Sequence, residues 1–227
     1  MDKLLDYAPL LGRGAVITIS VALLSLVLAT LLGVLGASAK VGGGALSRGA
    51  AHTYTTIVRG IPDLVFILLI YFGGQRFLND IGDLFGWDYV ESSKFWAGVV
   101  AIGFIYGAYL TETFRGAYLA VPRGQLEAAQ SLGLRRLAIL RKVLMPQVLR
   151  FALPGYGNVW MVLVKSTAVI SVIGLEDLVG LADKAGKSTR EPFLFLVAVI
   201  LVYLAITSAS GAALRRAEDW AGKGHPA

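Results

Sequence analysis

A lysine and two hydroxyl residues stand inside the fourth long apolar stretch of the sequence, as Lys165, Ser166 and Thr167. That stretch begins at Leu153, so Lys165 lies about 12 residues inside it, roughly 18 Å along a helix and near the middle of a ~30 Å hydrocarbon layer. A charge at that depth is costly and marks a functional site. Because all three side chains donate hydrogen bonds, they predict a binding site for a carboxylate, such as that of an amino acid crossing a membrane.

Carboxylates in two other apolar stretches are alternative partners for Lys165. Asp63, in the second stretch, has the charge to bind a cationic group of a substrate or to pair with Arg59. Glu112 and Arg115, in the third stretch, are three residues apart, the spacing at which side chains meet on a helix. If Lys165 pairs with either carboxylate, its role is structural, so both interpretations stay open at this point.

Two adjacent acids, Glu176 and Asp177, are predicted at the outer end of the fourth apolar stretch. In that position they could attract cations or contact an external receptor. A solvated helix end explains them equally well, so the sequence assigns them no single role.

The segment from Leu119 to Asn158 is basic, separates the third and fourth apolar stretches and has helical patterning throughout. It begins with a short helix, residues 125–132, that Gly133 is expected to end. Small alanines beside one carboxylate give this helix a thin face that fits the groove of another protein at close range. An amphipathic surface helix between two spans is the alternative. The residues predicted to make the contact are Gln125, Leu126, Glu127, Ala128, Ala129 and Gly133.

The composition predicts an all-α membrane protein with several spans. Hydrophobic residues make up 56% of the 227 residues and the mean hydropathy is +0.68, which leaves too little polar surface for a soluble domain. We expect a single transmembrane domain over residues 1–227, with the basic loop at about 120–153. Five stretches are apolar enough to cross the hydrocarbon layer as helices. They are Gly14 to Ala37, Ile57 to about Phe77, Phe95 to about Leu119, Leu153 to about Leu181, and Pro192 to Leu214.

The charges of the loops predict the orientation in the membrane, because lysine and arginine collect in the short loops on the inner side. The first loop, the 119–158 segment and the tail are basic, whereas the second loop is acidic and the fourth is nearly balanced. The N-terminus is therefore expected outside (periplasmic), and the basic segment and the C-terminus inside (cytoplasmic). The cations of the first loop and the tail are Lys40, Arg48, Arg59, Arg215, Arg216 and Lys223.

The basic segment resembles the EAA loop of the membrane subunits of ATP-binding-cassette (ABC) importers. In that family the loop is cytoplasmic and forms the coupling helix that docks on the ATPase. The residues that carry the resemblance are Glu127-Ala128-Ala129, Gly133, Ile139 and Leu144-Met145-Pro146.

Further matches extend over nearly the whole chain. They are similar to polar amino-acid permeases of the histidine/lysine/arginine/ornithine type, above all to their Q-type subunit, and opine permease subunits are also similar. The matching residues are 59–65, 107–116, 121–122, 165–168 and 174–177. In relatives that work as homodimers an acidic residue often follows the fourth-span lysine. Ser166 stands there in this chain, so the partner subunit is the expected source of the acid.

The resemblance implies the type I ABC importer permease fold, with five transmembrane helices and a separate coupling helix, in a bacterial inner membrane. It also implies four partners besides membrane lipid: a homologous permease subunit, two copies of an ATPase that bind ATP and Mg²⁺, and a periplasmic or surface-tethered amino-acid-binding protein. The chain itself is expected to be a transport subunit for a polar, basic amino acid, with no cofactor of its own.

Other functional classes fit the sequence poorly. No GxxxxGK[ST] motif for ATP, no nucleophile–base pair and no ligand cluster around His52 or His225 is present, so we expect neither catalytic nor metal-binding residues. The absence of cysteine excludes disulfides and thiolate metal sites. The net charge of +6 lies mostly in particular loops. This distribution indicates that the charges set the orientation in the membrane and disfavours nucleic-acid binding. A secondary amino-acid transporter would need no coupling helix, and a non-transporting scaffold leaves Lys165 unexplained.

Overall fold

Residues 2–89 and 91–222 are described by the computed structural model, and within these ranges the chain is helical and has no strand. Lys223 and His225 lie outside the described residues. Two π-helical turns, Leu69–Gly73 and Leu140–Leu144, and a 3₁₀-helix, Thr167–Ile173, adjoin the α-helices. The α-helices are α1 (Asp2–Gly42), α2 (Ala45–Gly60), α3 (Asp63–Leu68), α4 (Gly74–Phe85), α5 (Lys94–Leu119), α6 (Arg123–Ser131), α7 (Arg136–Ile139), α8 (Met145–Ser166), α9 (Leu178–Thr189) and α10 (Pro192–Gly222).

Five helical segments of the described residues are long and apolar enough to cross a membrane, which confirms the predicted fold class. They alternate with shorter helices, α2, α6 and α9, which are not among the candidate spans. The candidate spans are Leu4–Gly42, Asp63–Phe85, Lys94–Leu119, Arg136–Ile173 and Pro192–Trp220.

The second span begins at Asp63, so its predicted start at Ile57 is wrong. Pro62 disfavours the helical conformation of the residue before it, and Ile61 is extended, with φ −106° and ψ 136°. Ile57 consequently belongs to α2, a separate helix. Asp63 is therefore the first residue of the span and does not lie within it.

The fourth span is one continuous helical segment from Arg136 to Ile173, so its predicted start at Leu153 and its predicted end at Leu181 are both wrong. Gly174 adopts a left-handed conformation, with φ +81°, and terminates the segment. The chain then starts again as α9 at Leu178. Apolar residues continue across this break, so hydropathy alone does not reveal it.

The close packing of α1 on α5 organises the bundle, and α8 also packs on α5. Glycines on both helices leave no room for side chains at this contact. A Cβ added to Gly33 would lie 2.6 Å from Cβ of Leu110, and one added to Gly103 would lie 2.7 Å from Cδ2 of Leu28. Small residues at this contact thus allow the two helices to approach closely. The result is a central helix, α5, whose polar residues are held against α1, α2, α3 and α8.

Candidate functional site

Asp63, Tyr106 and Ser166 meet inside the bundle, where α3, α5 and α8 contribute one residue each. The Tyr106 hydroxyl donates to Oδ2 of Asp63 at 2.9 Å and lies 2.5 Å from Oγ of Ser166. The Ser166 hydroxyl is also within donating distance, 3.3 Å, of the same carboxylate oxygen. Tyr106 is buried, whereas Asp63 and Ser166 are partly exposed. This cluster, called the Asp63 cluster below, therefore offers a carboxylate fixed by two hydroxyl groups.

The break before α3 positions Asp63. The extended Ile61 and the N-cap Pro62 place this carboxylate in the first turn of α3, where the positive end of the helix dipole favours it. Arg59, on the other side of the break, is not its partner. The guanidinium carbon of Arg59 lies over the ring of Tyr109, 5.1 Å from the ring centroid, in a cation–π contact.

The three consecutive residues at the end of α8 face different directions. Ser166 joins the Asp63 cluster, but Thr167 is buried, donates to the carbonyl of Val164 at 2.6 Å and lies 3.3 Å from the hydroxyl of Tyr203. Successive helical residues are turned by about 100°, so adjacent side chains do not share a face. The prediction that Lys165, Ser166 and Thr167 act as one group is therefore wrong in its geometry.

Lys165 is exposed on the surface of the chain. Among the described residues no hydrogen bond or ion pair involves its ammonium group, and both candidate carboxylates are engaged elsewhere. Oδ2 of Asp63 accepts from Tyr106, and the two oxygens of Glu112 are paired with Lys40 and Arg115. A structural pair between Lys165 and a carboxylate of the described part of its own chain is therefore contradicted.

Glu112 is the centre of an ion-pair network that ties α1 and α2 to α5. Its Oε1 is paired with the ammonium group of Lys40, and its Oε2 accepts from Nε of Arg115 at 2.9 Å, which confirms the predicted Glu112–Arg115 pair. Lys40 also donates to the hydroxyl of Thr55 at 2.6 Å. Next to Thr55 on α2, the hydroxyl of Tyr54 donates to the carbonyl of Phe104 at 2.6 Å, and burial raises the pKa of this tyrosine.

The predicted coupling helix is α6, one residue shorter at its C-terminal end than expected. Gln125, Glu127 and Ala128 are exposed and Leu126 is partly exposed. Ala129, by contrast, is only 5% exposed. The two alanines therefore do not form one docking face, because Ala129 is turned inward while Ala128 and Glu127 remain free to contact another protein.

Gly133 ends α6 as predicted. It has φ +74°, its N–H donates to the carbonyl of Gln130 at 2.9 Å, and the N–H of Leu134 donates to the carbonyl of Ala129 at 3.2 Å. These two bonds and the left-handed residue form a Schellman motif, in which glycine avoids a steric cost. A Cβ at Gly133 would meet no atom within 4 Å, so the requirement for glycine is conformational.

Glu176 and Asp177 have different environments. Glu176 is paired with Lys184 at 2.6 Å, and the hydrogen bond from Lys184 lowers the pKa of this carboxyl group. Asp177 is only 1% exposed and caps α9, accepting from the N–H of Gly180 at 2.9 Å. Burial raises the pKa of Asp177 to about 6. Asp177 is thus a buried cap, and the prediction of an exposed acid holds only for Glu176.

Residues 29–216 match the family model for a binding-protein-dependent transport system inner membrane component. The chain belongs to this family. The predicted resemblance to membrane subunits of ABC importers is thereby confirmed, and the protein is a membrane transport component of a binding-protein-dependent system.

Relatives of this permease family cover nearly the whole chain. It is 45% identical over 211 residues to the histidine/lysine/arginine/ornithine transport system permease protein HisQ of Salmonella typhimurium, covering 93% of this chain and 92% of HisQ. It is 43% identical over 216 residues to the nopaline transport system permease protein NocQ of Agrobacterium fabrum, covering 94% and 92%. A crystal structure of an amino acid ABC transporter with histidines superposes with a TM-score of 0.80 and 32% identity, covering 95% of this chain and 96% of that one.

The sequence interpretation of this permease missed the aromatic residues of α5. Tyr106, Tyr109 and Glu112 recur every three residues and line one face of the helix. The rings of Tyr106 and Tyr109 stack with centroids 5.6 Å apart. This polar stripe within an apolar span is the signal that would have indicated Tyr106, and it connects the Asp63 cluster with the Glu112 network.

Proposed function

We propose that the chain forms half of the membrane pathway of an ABC importer for polar, basic amino acids. The observation that supports it best is the Asp63 cluster, a fixed and partly exposed carboxylate within the bundle of a chain 45% identical to HisQ. A carboxylate in this position attracts the cationic side chain of lysine, arginine or ornithine. The whole chain, residues 1–227, acts as one transmembrane domain in this proposal.

In this proposal the substrate is held at its two charged ends. Asp63, supported by Ser166, binds the cationic side chain. Lys165, which faces the partner subunit across the pathway, binds the α-carboxylate. Thr167 supports the site by packing between α8 and α10 through Tyr203. The exposed Lys165 suits a role toward a partner or substrate better than a role inside its own chain.

Transport proceeds by alternating access around this site. Two ATPase subunits bind ATP and Mg²⁺, close on each other and move α6 through Gln125, Leu126, Glu127 and Ala128. Ala129 packs the helix against its own chain, and Gly133 fixes the end of the helix. A homologous permease subunit forms the other half of the pathway, and a periplasmic binding protein delivers the amino acid. The N-terminus is periplasmic and the C-terminus cytoplasmic.

The test is purification of the complex and reconstitution with the binding protein in liposomes. We expect an ATPase to co-elute with this chain and uptake of radiolabelled arginine, lysine, ornithine or histidine to require ATP. Uptake driven by an ion gradient without an ATPase would support a secondary transporter and refute the proposal.

An opine importer is the second candidate, because the chain is 43% identical to NocQ, almost as similar as it is to HisQ at 45%. Opines carry an additional carboxylate, so a site that prefers them is expected to hold more cationic side chains than a site for basic amino acids. Competition of unlabelled nopaline and octopine against labelled arginine separates the two substrate classes. Preferential uptake of the opines would assign the chain to that class.

A further inference from the structure

A polar cavity of about 470 Å³ lies beside the Asp63 cluster, between the end of α1, α2 and α5. Every side chain that lines it carries a polar group, and its volume is in the range of small-molecule pockets. Tyr109 forms part of the wall and stacks on Tyr106, a member of the Asp63 cluster. One ring of this stacked pair lines the cavity and the other belongs to the Asp63 cluster, so the two sites are adjacent.

The polar groups on the deep wall of the cavity already have hydrogen-bond or ion-pair partners. Glu112 is paired with both Lys40 and Arg115, and Lys40 donates its second hydrogen bond to Thr55. Lys40 and Thr55 are 7% and 3% exposed, so this wall is rigid and needs no ligand to complete it. A ligand must therefore be held by the remaining groups.

Arg59 is the remaining charged group. It is exposed, and its guanidinium makes no hydrogen bond or ion pair with any described residue while its face rests on Tyr109. Stacking on a ring holds the guanidinium plane in place and leaves its donors available at the edge. Two cationic side chains, Lys40 and Arg59, line the cavity together with the single carboxylate of Glu112, so its lining has a net positive charge.

We propose that this cavity is an exit subsite that holds the α-carboxylate of the amino acid on Arg59 after it leaves the Asp63 cluster. A planar carboxylate matches the fork of a guanidinium, and the hydroxyl of Thr56 on the same wall is available as a second donor. The proposal rests on the proposed function, because it takes the same substrate and places the cavity on the cytoplasmic side.

The test uses the whole complex in liposomes with the ATPase facing the medium and the binding protein and L-arginine enclosed. L-arginine added to the medium should reach the subsite and inhibit the stimulated ATP hydrolysis. Agmatine, which is arginine without its carboxylate, should inhibit far less. Arg59→Gln should raise the half-inhibitory concentration of arginine by about ten-fold or more, because a charged hydrogen-bonding partner is lost, while Arg59→Lys gives an intermediate value.

The control is Arg48→Gln, which makes the same change elsewhere on α2, where Arg48 donates to the carbonyl of Gly43 at 3.2 Å. It should leave inhibition and stimulation at the wild-type level. Equal inhibition by agmatine and arginine, or unchanged inhibition in Arg59→Gln, would overturn the subsite, as would loss of stimulation by enclosed arginine in that variant. A wild-type complex that enclosed arginine does not stimulate would instead contradict the proposed function.

Discussion

At the scale of single residues, Tyr106 connects the two parts of the polar interior. Its hydroxyl joins Asp63 to Ser166, and its ring stacks on Tyr109, which carries the guanidinium of Arg59. A buried phenol of this kind restricts the rotamers of the groups that it contacts, because each lost hydrogen bond leaves a polar atom unsatisfied. Tyr106 is therefore a positioning residue for the carboxylate of Asp63.

Replacement of Lys165 tests its role in substrate binding. Lys165→Met should leave the complex assembled, because no described carboxylate of the chain depends on the ammonium group and methionine removes a desolvation cost. Amino-acid-stimulated ATP hydrolysis should fall about ten-fold or more, as expected for loss of a charged hydrogen bond of roughly 1.5–3 kcal/mol. Lys165→Arg is the control that keeps the charge. Poor yield of the methionine variant would indicate a structural pair with the partner subunit, and full stimulation would exclude both roles.

Asp177 should make the stability of the protein dependent on pH. Because burial raises its pKa to about 6, the folded chain holds this proton more tightly than the unfolded chain does. Its contribution is therefore fully present below about pH 4 and is lost as the pH rises through about 6. Asp177→Asn keeps an oxygen for the cap of α9 and should raise stability near pH 8 by up to about 3 kcal/mol.

The measurement for Asp177 is the difference in thermal unfolding between the variant and the wild type across this pH range. Glu176→Gln is the control, since that exposed side chain should change stability little. An Asp177→Asn variant that loses stability equally at all pH values would show that the carboxylate is needed in its charged form.

The sequence predicted which residues belong to the site more successfully than it predicted how their side chains are arranged. Asp63 was singled out because ionisable groups in apolar stretches are costly, and Ser166 because it follows Lys165 and can donate a hydrogen bond. Their meeting through Tyr106 depends on how α3, α5 and α8 cross, which no local pattern contains. The grouping of Lys165 with Thr167 failed because adjacency in sequence was taken for a shared face of the helix.

At the scale of elements, the bounds of the helices depend on single backbone positions. Hydropathy found all five spans, but it placed the start of the second span at Ile57 and the end of the fourth at Leu181. The actual limits are set by Pro62 and by Gly174 with φ +81°. The end of α6 was predicted well because the signal at Gly133 is local, a glycine directly after the last helical turns.

Substitution of Gly133 tests the cap of the coupling helix. Gly133→Val should cost roughly 1–2 kcal/mol, because a branched residue is strained at φ +74° even though the surrounding space is open. The end of α6 should fray, and less ATPase should co-purify with the complex. Gly133→Asn is the matched variant, since asparagine tolerates this conformation, and it should retain coupling. Normal uptake by the valine variant would contradict a coupling role that depends on this cap.

The exposed face of α6 provides a second test of coupling that leaves its backbone unchanged. Glu127→Lys with Ala128→Asp alters charge and bulk only on exposed residues, so the helix should fold normally. Uptake should fall because a close contact between a helix and a groove tolerates neither change. Unaltered ATPase association together with normal uptake would place the docking surface elsewhere.

At the scale of the whole molecule, the bundle is built around α5. The seam of Gly33 and Gly103 fixes α1 on α5, and α8 also packs on α5. Both the seam and the polar stripe of α5 belong to one helix, so the packing that stabilises the bundle also sets the positions of the functional groups. The number of spans followed from hydropathy, whereas this central position of α5 requires long-range contacts that the sequence does not display.

The orientation of the bundle is testable by accessibility. A reporter that acts only outside the membrane should label the segment 80–91 and the segment 184–191, and it should not label 125–132. This expectation follows from the excess of basic residues in the loops assigned to the inner side. Labelling of 125–132 from outside would contradict both the orientation and the coupling role of α6.

The continuous helical segment Arg136–Ile173 sets the position of Ser166 relative to α6. It has 38 residues, which would span about 57 Å at 1.5 Å per residue, and α6 contacts it near one end while Ser166 lies nearer the other. A continuous helix transmits rotation about its axis as well as displacement along it. One inserted residue between 146 and 164 would turn Ser166 by about 100° relative to α6 and would advance it by about 1.5 Å. Such an insertion should therefore misalign the Asp63 cluster with α6, whereas a substitution of an exposed side chain along the segment should not.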